Sequence, residues 1–547
     1  MKKFIMPRQP LDIGSTMVLR SIVYQGEYRD SILLMRISQQ LCNLDGVRQA
    51  AVVMATDANK NLLKDAGMLT EEVAAAGAND LAVVIEAITP ERAEEVVAKA
   101  REMLEEAARE REEAEAVYAT IESANTARPD TNLVLISVPG AFAAREAKKA
   151  LELGKHVMIF SDGVPLEEEI ELKRLGEKKG LLVMGPDCGT SIIKGIGLGF
   201  ANVVKRGPIG VVAASGTGAQ QVSSLISSGP GISHVIGTGG RDLHDVVGGI
   251  TMLMGLKFLI DDPDTKTIVL ISKPPSLKVA EKILHSAKQA GKPTVVCFLG
   301  GDPKVIEDAG LVPAATLEDA AIKAIALQRG EIPKITIFSA SFDEVKKMAE
   351  EEYRRLKPEQ QYIRGIYSGG TFCSEAMVVL RDLIGDVYSN IPLKPELKLD
   401  DSNKSKEHTF IDMGDDEFTA KLGKPHPMIY HELRQKRMLA EASDPKTAVM
   451  LLDVVLGYGA HEDPAGALAP TIAQAKRIAE QEGRYLSVVA SVCGTKEDPQ
   501  NLDTQIEKLR RVGVVVMPSN AQAARMAALI ASRGKLWEKI VGGIKYG

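Results

Sequence analysis

The stretch KRGPIGVVAASGTGAQQVSSLISSGPGISHVIGTGGRD, residues 205–242, contains the two loops that decide how this chain folds. An apolar strand at 209–214 runs directly into the loop SGTG (215–218), and a helix is predicted after it. A second predicted strand ends in the loop GTGGRD (237–242). Small residues between a strand and a helix let backbone N–H groups and the positive end of the helix dipole face an anion. The pattern therefore predicts an α/β unit with an anion-binding loop.

The same unit returns about 150 residues later in altered form. An apolar strand at 363–367 leads into SGGT (368–371), and the counterpart of the second loop is IDMGDD (411–416). Downstream, DPDTKTIVLISKPP (262–275) lines up with DPKTAVMLLDVVLGYG (444–459). Two copies of one α/β unit are the simplest explanation, and the copies differ in where their charges lie.

The composition excludes several classes of partner. At 547 residues the chain is too long for one core, so several domains are expected. Its 73 acidic and 67 basic residues give a net charge of −6, which favours neither nucleic acid nor an anionic membrane surface. We find no apolar run of membrane-spanning length, and the start MKKFIMPRQP lacks the apolar core of a signal peptide. A cytoplasmic protein is expected.

The cysteines predict reduced thiols rather than a metal or disulfide site. Five cysteines are scattered along the chain without a CxxC pair, and the eight histidines form no ligand cluster. Cys188, in GPDCGT, is interpreted as a buried or loop thiol rather than a nucleophile.

Alternating strands and helices extend through the N-terminal part of the chain. Residues 18–60 read as strand, helix and strand, and the turn TDANK (56–60) is similar to the first turn of a nucleotide-type βαβ domain, although no GxGxxG is present. The segment 89–116 predicts a long charged helix that is solvated or faces a partner. Further strands at 132–140, 156–163 and 181–191 predict a parallel sheet covered on both faces.

Five loop sequences, in order, resemble the α subunit of succinyl-CoA synthetase and related ADP-forming acyl-CoA synthetases. They are SVPGAFAAREA, FSDGVPLEEEI, VMGPDCGTS, GPIGVVAASGTG and IGTGGRD. Over nearly the whole chain, the phrases MGPDCGTS, GGRDLH, SKPP, DVVLGYGA and GKPHPMIY resemble the FdrA family. The resemblance implies an α/β protein with a Rossmann-like, CoA-binding-type domain at 1–204, followed by two flavodoxin-like, ligase-type domains at 205–332 and 360–547.

The chain departs from the synthetases where those enzymes carry their phosphoryl relay. The synthetases hold a phosphohistidine in a GHAGA loop after the strand that matches PTVVCFLG, whereas this chain continues with GDPK (301–304). The synthetase glutamate that contacts this histidine is replaced by Lys273. His244 is an alternative nucleophile, but it lies on a different loop. We therefore expect no phosphohistidine relay of the synthetase type.

The FdrA resemblance implies a function in group transfer. Members of that family occur as one subunit of a three-subunit oxamate carbamoyltransferase in allantoin breakdown. The resemblance implies carbamoyl phosphate and oxamate as substrates, additional protein subunits and an oligomeric complex. Two alternatives stay open: an ADP-forming acyl-CoA synthetase, and a non-catalytic scaffold that binds CoA or a nucleotide.

Candidate site residues follow from these loops. The anion-binding candidates are Ser215, Gly216, Thr217, Gly218, Gly239 and Gly240. The catalytic candidates are Lys273, Arg241, Asp242 and His244. The second repeat adds Gly369, Gly370, Thr371, Asp412, Asp415, Asp416, His426 and Asp453. Its carboxylates are candidates for Mg²⁺ or an ammonium-like group, since hard cations take clustered oxygen ligands, but helix caps and solvated loop acids explain them equally.

Overall fold

The computed structural model describes residues 17–27, 29, 31–42, 44–113, 117–419 and 425–542. The start MKKFIMPRQP and the last residues of the predicted charged helix (114–116) lie outside this description. The chain divides into two compact units, Met1–Ala119 and Thr120–Gly547. Within the described ranges, no helix combines the length and the apolar composition needed to cross a membrane.

The first unit is a small antiparallel α/β domain. Its strands lie in the order β1-β3-β2, and β3 pairs antiparallel with both neighbours. Its elements are β1 (Val18–Tyr24), α1 (Ser31–Cys42), β2 (Val47–Met54), α2 (Asp57–Asp65), α3 (Glu71–Ala75), β3 (Leu81–Ala87) and α4 (Pro90–Glu113).

This arrangement corrects two expectations for the N-terminal region. The segment 18–60 does not open a parallel βαβ domain, because β3 is inserted between β1 and β2. Residues 81–85 of β3 are buried on both faces, so this strand takes the centre, with helices on either side. The charged helix α4 is not solvated all round, since Ala93, Val96, Ala100 and Leu104 are buried in the core of this unit.

The second unit begins with a Rossmann-like subdomain (121–184) of three parallel strands in the order β4-β5-β6. The Rossmann-like part therefore starts at about residue 120, whereas the sequence analysis placed residues 1–204 in one domain. Its elements are α5 (Ile121–Ala127), β4 (Leu133–Ile136), α6 (Gly140–Glu152), β5 (His156–Ile159), α7 (Leu166–Lys179) and β6 (Val183–Met184).

The first repeat (190–329) is a doubly wound sheet in the order β13-β12-β11-β9-β10-β7-β8, with β7 and β8 as an antiparallel extension. Its elements are β7 (Thr190–Ile193), β8 (Ile196–Gly199), β9 (Arg206–Ala213), α8 (Gly216–Ser227), β10 (Ile232–Gly237), α9 (Ile250–Asp261), β11 (Thr267–Ser272), α10 (Leu277–Gln289), β12 (Thr294–Phe298), α11 (Pro303–Asp308), β13 (Val312–Pro313) and α12 (Leu317–Arg329).

The second repeat (342–542) has the same winding, with all-parallel strands in the order β15-β16-β14-β17-β18-β19. The predicted fold class is thereby confirmed. Its elements are α13 (Phe342–Tyr353), β14 (Tyr362–Tyr367), α14 (Gly370–Leu380), β15 (Val387–Ser389), a 3₁₀ turn (Pro395–Leu397), β16 (His408–Asp412), α15 (Glu432–Ala442), β17 (Thr447–Val455), α16 (Pro464–Gln481), β18 (Ser487–Cys493), α17 (Leu502–Arg511), β19 (Val515–Met517), α18 (Asn520–Ala531) and α19 (Trp537–Gly542).

The two repeats share one hydrophobic core. Buried residues of α8 and α12 from the first repeat pack with those of α14 and α18 from the second. A polar contact crosses this core: the Glu375 carboxylate of α14 accepts the Leu317 N–H at the start of α12 (2.7 Å) and the Asn520 amide of α18 (2.8 Å). Burial raises the pKa of Glu375 to about 7. The repeats are thus packed as one body rather than as separate domains.

A buried charge network joins the Rossmann-like subdomain to the first repeat. The Lys173 ammonium of α7 lies 2.7 Å from the Asp242 carboxylate and 3.1 Å from Glu169, and all three side chains are fully buried. Arg241 approaches the second oxygen of Glu169 at 2.8 Å. The network therefore fixes the loop GTGGRD (237–242) against α7.

Replacing Lys173 should destabilise the second unit strongly. Lys173→Met leaves the buried Asp242 carboxylate without its cation and leaves Glu169 with Arg241 alone, and breaking a buried pair in this way typically costs about 3–5 kcal/mol of unfolding free energy. Urea denaturation followed by circular dichroism measures the loss, and Lys179→Met at the exposed end of the same helix is the matched control. Equal stability of the two variants would show that the network contributes nothing.

Candidate functional site

A cavity of about 1140 Å³ lies at the carboxyl ends of the strands of the second unit. In doubly wound sheets, ligands bind at this edge, where the strand order reverses. In the first repeat the reversal lies between β9 and β11, and in the second between β14 and β17. The walls of the cavity come from the loops that contain residues 137–139, 160–162, 187–190, 213–217, 237–245, 272–276, 368–371, 412–419 and 426–429.

The N-termini of α8 and α14 meet in this cavity. The Ser215 hydroxyl caps α8 by accepting the Gly218 N–H at 2.9 Å, and it contacts the Thr371 hydroxyl of α14 at 2.6 Å. A Cβ on Gly369 would lie 2.6 Å from a methyl carbon of Thr217, so the two loops touch directly. The first-turn N–H groups of a helix have no partner within the helix, and its dipole is positive there. Two such ends facing one space favour an anion.

Asp453 holds the second loop in place and is not free to bind a ligand. Its carboxylate accepts the Ser368 N–H and hydroxyl, each at 2.8 Å, and the Gly369 N–H at 3.0 Å. The buried Arg434 guanidinium donates to it at 2.6 Å. These contacts occupy both oxygens, which corrects the expectation that Asp453 belongs to a cation site.

Asp412, at the end of β16, lines the cavity, and its two carboxyl oxygens have different neighbours. Its Oδ1 accepts the Gly414 N–H at 2.9 Å. A Cβ on Gly370 would lie 2.3 Å from Oδ2, so that oxygen sits against the first residue of α14. Burial raises the pKa of Asp412 to about 7, although the Gly414 hydrogen bond and Lys273 act in the opposite direction. The group therefore titrates near neutrality.

Lys273 follows β11 in the first repeat and lines the cavity opposite Asp412. Its side chain is exposed to the cavity, and no carboxylate of the described residues forms an ion pair with it. The ammonium is thus available to a ligand that binds between the two repeats.

Arg241 and Asp242 are structural residues and do not line the cavity, as far as the described residues show. Arg241 donates to the Val164 carbonyl oxygen at 2.8 Å and pairs with Glu169. Asp242 accepts the Thr251 and Met252 N–H groups of α9 at 3.1 and 2.9 Å, besides its contact with Lys173. The catalytic roles expected for both residues are therefore corrected.

Two histidines line the cavity, and they differ in environment. His244 is exposed to the cavity. His426 is enclosed, and burial lowers its pKa to about 4, so the ring is neutral. Its Nδ1 accepts the Met428 N–H at 3.2 Å, and a neutral ring that accepts at Nδ1 carries its proton on Nε2. His426 is thus a hydrogen-bond donor at the second ring nitrogen.

The remaining wall of the cavity is acidic. Asp415 and Asp416 of the second repeat line it, together with Asp162 and Asp187 of the segments that follow β5 and β6. Asp187 is exposed to the cavity, and desolvation within it, with Asp162 and Asp416 as negative neighbours, raises its pKa to about 6. Sequence analysis missed Asp162 and Asp187; their position after strands of a parallel sheet was the signal that could have found them.

The described residues of the cavity give no support to metal or thiol chemistry. Among the described residues, no three histidine, cysteine or carboxylate side chains are grouped to hold a metal ion, so the Mg²⁺ hypothesis gains no support. Cys188 lines the cavity, but burial raises the pKa of its thiol to about 11, which makes it a poor nucleophile at neutral pH.

The Rossmann-like subdomain also contributes to this cavity. Residues 137–139 and 160–162, which follow β4 and β5, line it, although the consecutive order β4-β5-β6 contains no reversal within the described residues. The edge of this subdomain where α/β sheets bind ligands is therefore part of the cavity.

The second repeat and the first unit each match a known protein family. Residues 366–530 match the CoA-ligase family, and residues 17–119 match the family described as AllF, heavy metal-associated domain. Residues 17–119 contain a single cysteine, Cys42, and no histidine. The Cys42 thiol is buried and bonds to the backbone of Ala50, so this domain lacks the ligand set of a soft metal.

Partial relatives are subunits of CoA ligases. The chain is 34% identical over 191 residues to succinate–CoA ligase [ADP-forming] subunit alpha 1 of Archaeoglobus fulgidus, which covers 34% of this chain and 63% of that protein. It is 30% identical over 181 residues to the ADP-forming sulfoacetate-CoA ligase subunit SauD of Bilophila wadsworthia, covering 31% and 59%. The chain thus spans less than two thirds of these ligase subunits.

One solved structure and one full-length relative complete the comparison. The apo dinucleotide-forming acetyl-coenzyme A synthetase 1 of Ca. Korarchaeum cryptofilum is similar at 17% identity and a TM-score of 0.30, over 76% of this chain and 86% of that one; a score this low says nothing about the site. The uncharacterized protein YahF of Escherichia coli K12 is 44% identical over 520 residues, which cover 95% of this chain and 100% of that protein. The chain therefore belongs to the YahF family.

Proposed function

We propose that this chain is one subunit of an enzyme that transfers an acyl-type group to or from phosphate, and that it does so without a phosphorylated histidine. The observation that carries the proposal is the convergence of α8 and α14 on one cavity, where the Ser215 and Thr371 hydroxyls lie 2.6 Å apart. Lys273 adds a full positive charge to the same space. The resemblance to FdrA proteins makes carbamoyl phosphate and oxamate the proposed substrate pair.

The residues near the cavity argue against a phosphohistidine. At the position of the synthetase histidine loop, Asp302 caps α11 by accepting the Lys304 N–H at 2.9 Å. His426 carries its proton on Nε2, so that nitrogen cannot attack phosphorus. His244 is the remaining histidine among the described cavity residues, and no carboxylate forms an ion pair with it.

Direct transfer relies on charge neutralisation and positioning, which these residues supply. The N-termini of α8 and α14 bind the phosphoryl oxygens, and Lys273 neutralises the charge that develops on the leaving phosphate. The Nε2–H of His426 offers a neutral hydrogen-bond donor to an oxyanion. Holding both substrates between two rigid repeats replaces a bimolecular encounter by a step within one complex.

An ADP-forming acyl-CoA synthetase is the second candidate function. The match of residues 366–530 to the CoA-ligase family and the ligase subunits among the relatives favour it. Lys273 at the relay glutamate position opposes it. A scaffold that binds CoA or a nucleotide without catalysis is the third candidate function, and it requires neither Lys273 nor His426.

Reversing the charge of Lys273 should weaken binding of an acyl phosphate. Lys273→Glu places a like charge near the dianion, and the Coulomb repulsion, reduced by solvent, is expected to raise the dissociation constant of carbamoyl phosphate by roughly 10- to 1000-fold. Calorimetric titration of the full chain measures it. Lys278→Glu, on the exposed face of α10, is the control and should bind as the wild type does. Unchanged binding by Lys273→Glu places the anion elsewhere.

Incubation with γ-labelled ATP, ADP and CoA should leave no acid-labile, base-stable phosphate on the chain. Such labelling is the signature of a phosphohistidine, which the proposed direct transfer does not form. Stoichiometric labelling that is lost in His244→Ala would contradict the proposal and favour the synthetase function.

The isolated chain should show negligible carbamoyl transfer, because the ligase relatives are themselves described as subunits. Purification of the tagged chain from its own cells, with and without a salt wash that removes partners, provides the comparison. Turnover of oxamate with carbamoyl phosphate should appear only in the unwashed sample. Full turnover by the washed chain would place the complete active site within this polypeptide.

A further inference from the structure

Asp412 differs from the other carboxylates of the cavity in how firmly it is held. The Asn390 side chain clamps its backbone, accepting the Asp412 N–H and donating to its carbonyl oxygen, both at 3.0 Å. The Gly414 N–H fixes Oδ1, and Gly370 packs against Oδ2. The side chain is only 8% exposed, and that exposure is to the cavity.

The Asp412 carboxyl group lies beside the proposed anion site. It lies at the start of α14, whose N-terminus faces that of α8, and Lys273 faces it from the first repeat without a direct ion pair among the described contacts. A space is therefore left between the ammonium and the carboxyl group. Oδ2 lies against Gly370, the first residue of α14, and both residues line the cavity that the helix ends face.

We propose that Asp412 is the acid–base residue of this cavity, which exchanges a proton with the atom that leaves or attacks as the acyl-type group is transferred. The inference rests on the proposed function, because it assumes that the anion binds at the ends of α8 and α14. It adds a residue that transfers a proton, a role that the helix ends and Lys273 do not fill in the proposed function.

In the transfer of a carbamoyl group, each bond that forms is matched by one that breaks. A phosphate oxygen forms a bond to the carbonyl carbon, and the bond between that carbon and the amide nitrogen breaks. The electron pair of the broken bond goes to nitrogen, and the Asp412 carboxyl group gives its proton to that nitrogen. In the reverse direction the attacking nitrogen returns the proton to Asp412 as the bond to phosphate breaks.

The environment of Asp412 suits both protonation states. Its pKa is raised to about 7, chiefly by burial, so neither form is rare at neutral pH. A bound dianion should raise this pKa further, because the negative charges repel. Substrate binding should thus protonate Asp412 and prepare it to act as an acid. The charged and titratable groups around it are Lys273, Asp415, Asp453, Cys373 and His426.

Sulfate is a suitable probe for this coupling, since it stays a dianion throughout the range of interest. We expect sulfate binding by the full chain to take up about 0.5 proton near pH 7.5, if the bound dianion raises the Asp412 pKa by roughly one unit. Calorimetric titration in two buffers of different ionisation enthalpy measures this uptake. In Asp412→Asn, the uptake should vanish, and sulfate should bind about tenfold more tightly at pH 8.5, where the wild-type carboxylate is charged.

The controls separate the residue from its surroundings. Asn can still accept the Gly414 N–H, so Asp412→Asn is expected to fold, and Asp386→Asn at an exposed position should behave as the wild type. Uptake that persists in Asp412→Asn would assign the proton to another group of the cavity, such as Asp187, and overturn the inference. Absence of sulfate binding in every variant would refute the anion site, and with it the proposed function on which the inference rests.

A second measurement does not require a ligand. Infrared difference spectra between pH 5.5 and 8.5 should show a protonated carboxyl band that titrates near pH 7 and is lost in Asp412→Asn. Glu375 contributes a band in the same range, and it should be unchanged by the substitution. Identical spectra for wild type and Asp412→Asn would overturn the inference even if sulfate binds.

Discussion

The contact between the Ser215 and Thr371 hydroxyls is the constraint on which the site depends. It joins two strand–loop–helix turns from separate repeats, and it brings two positive helix ends to the same space. Gly369 approaches Thr217 across the same contact, and a larger residue at position 369 would force the two loops apart. The cavity is thus a property of how the repeats pack, and neither repeat contains it alone.

The buried ionic residues stabilise this arrangement rather than act on a ligand. Asp453 with Arg434 holds the loop at 368–371 of the second repeat, and Lys173 with Asp242 holds the loop at 237–242 of the first. Buried charges of this kind cost desolvation and are retained where each one is paired. In contrast, Lys273 and Asp412 face the cavity without pairing to each other, which leaves them for chemistry.

Much of the fold followed from the sequence, because buried parallel strands are continuous apolar runs and the small-residue loops mark their ends. The two repeats and the loops at 215 and 368 were predictable on this basis. The antiparallel pairing of β2 with β3 was not, since strand–helix alternation is the same for both directions of pairing. The roles of Arg241 and Asp242 also escaped prediction, because their partners Glu169 and Lys173 lie about 70 residues away in the chain.

The joining of both repeats in one polypeptide has a further consequence. Because the segment between α12 and α13 tethers the two halves of the cavity, their encounter is intramolecular, and its effective concentration is set by the tether rather than by expression level. Dilution therefore cannot separate the two helix ends, and the halves are always made in equal numbers. Partner subunits of the proposed enzyme could then associate and dissociate without separating the two halves of the cavity.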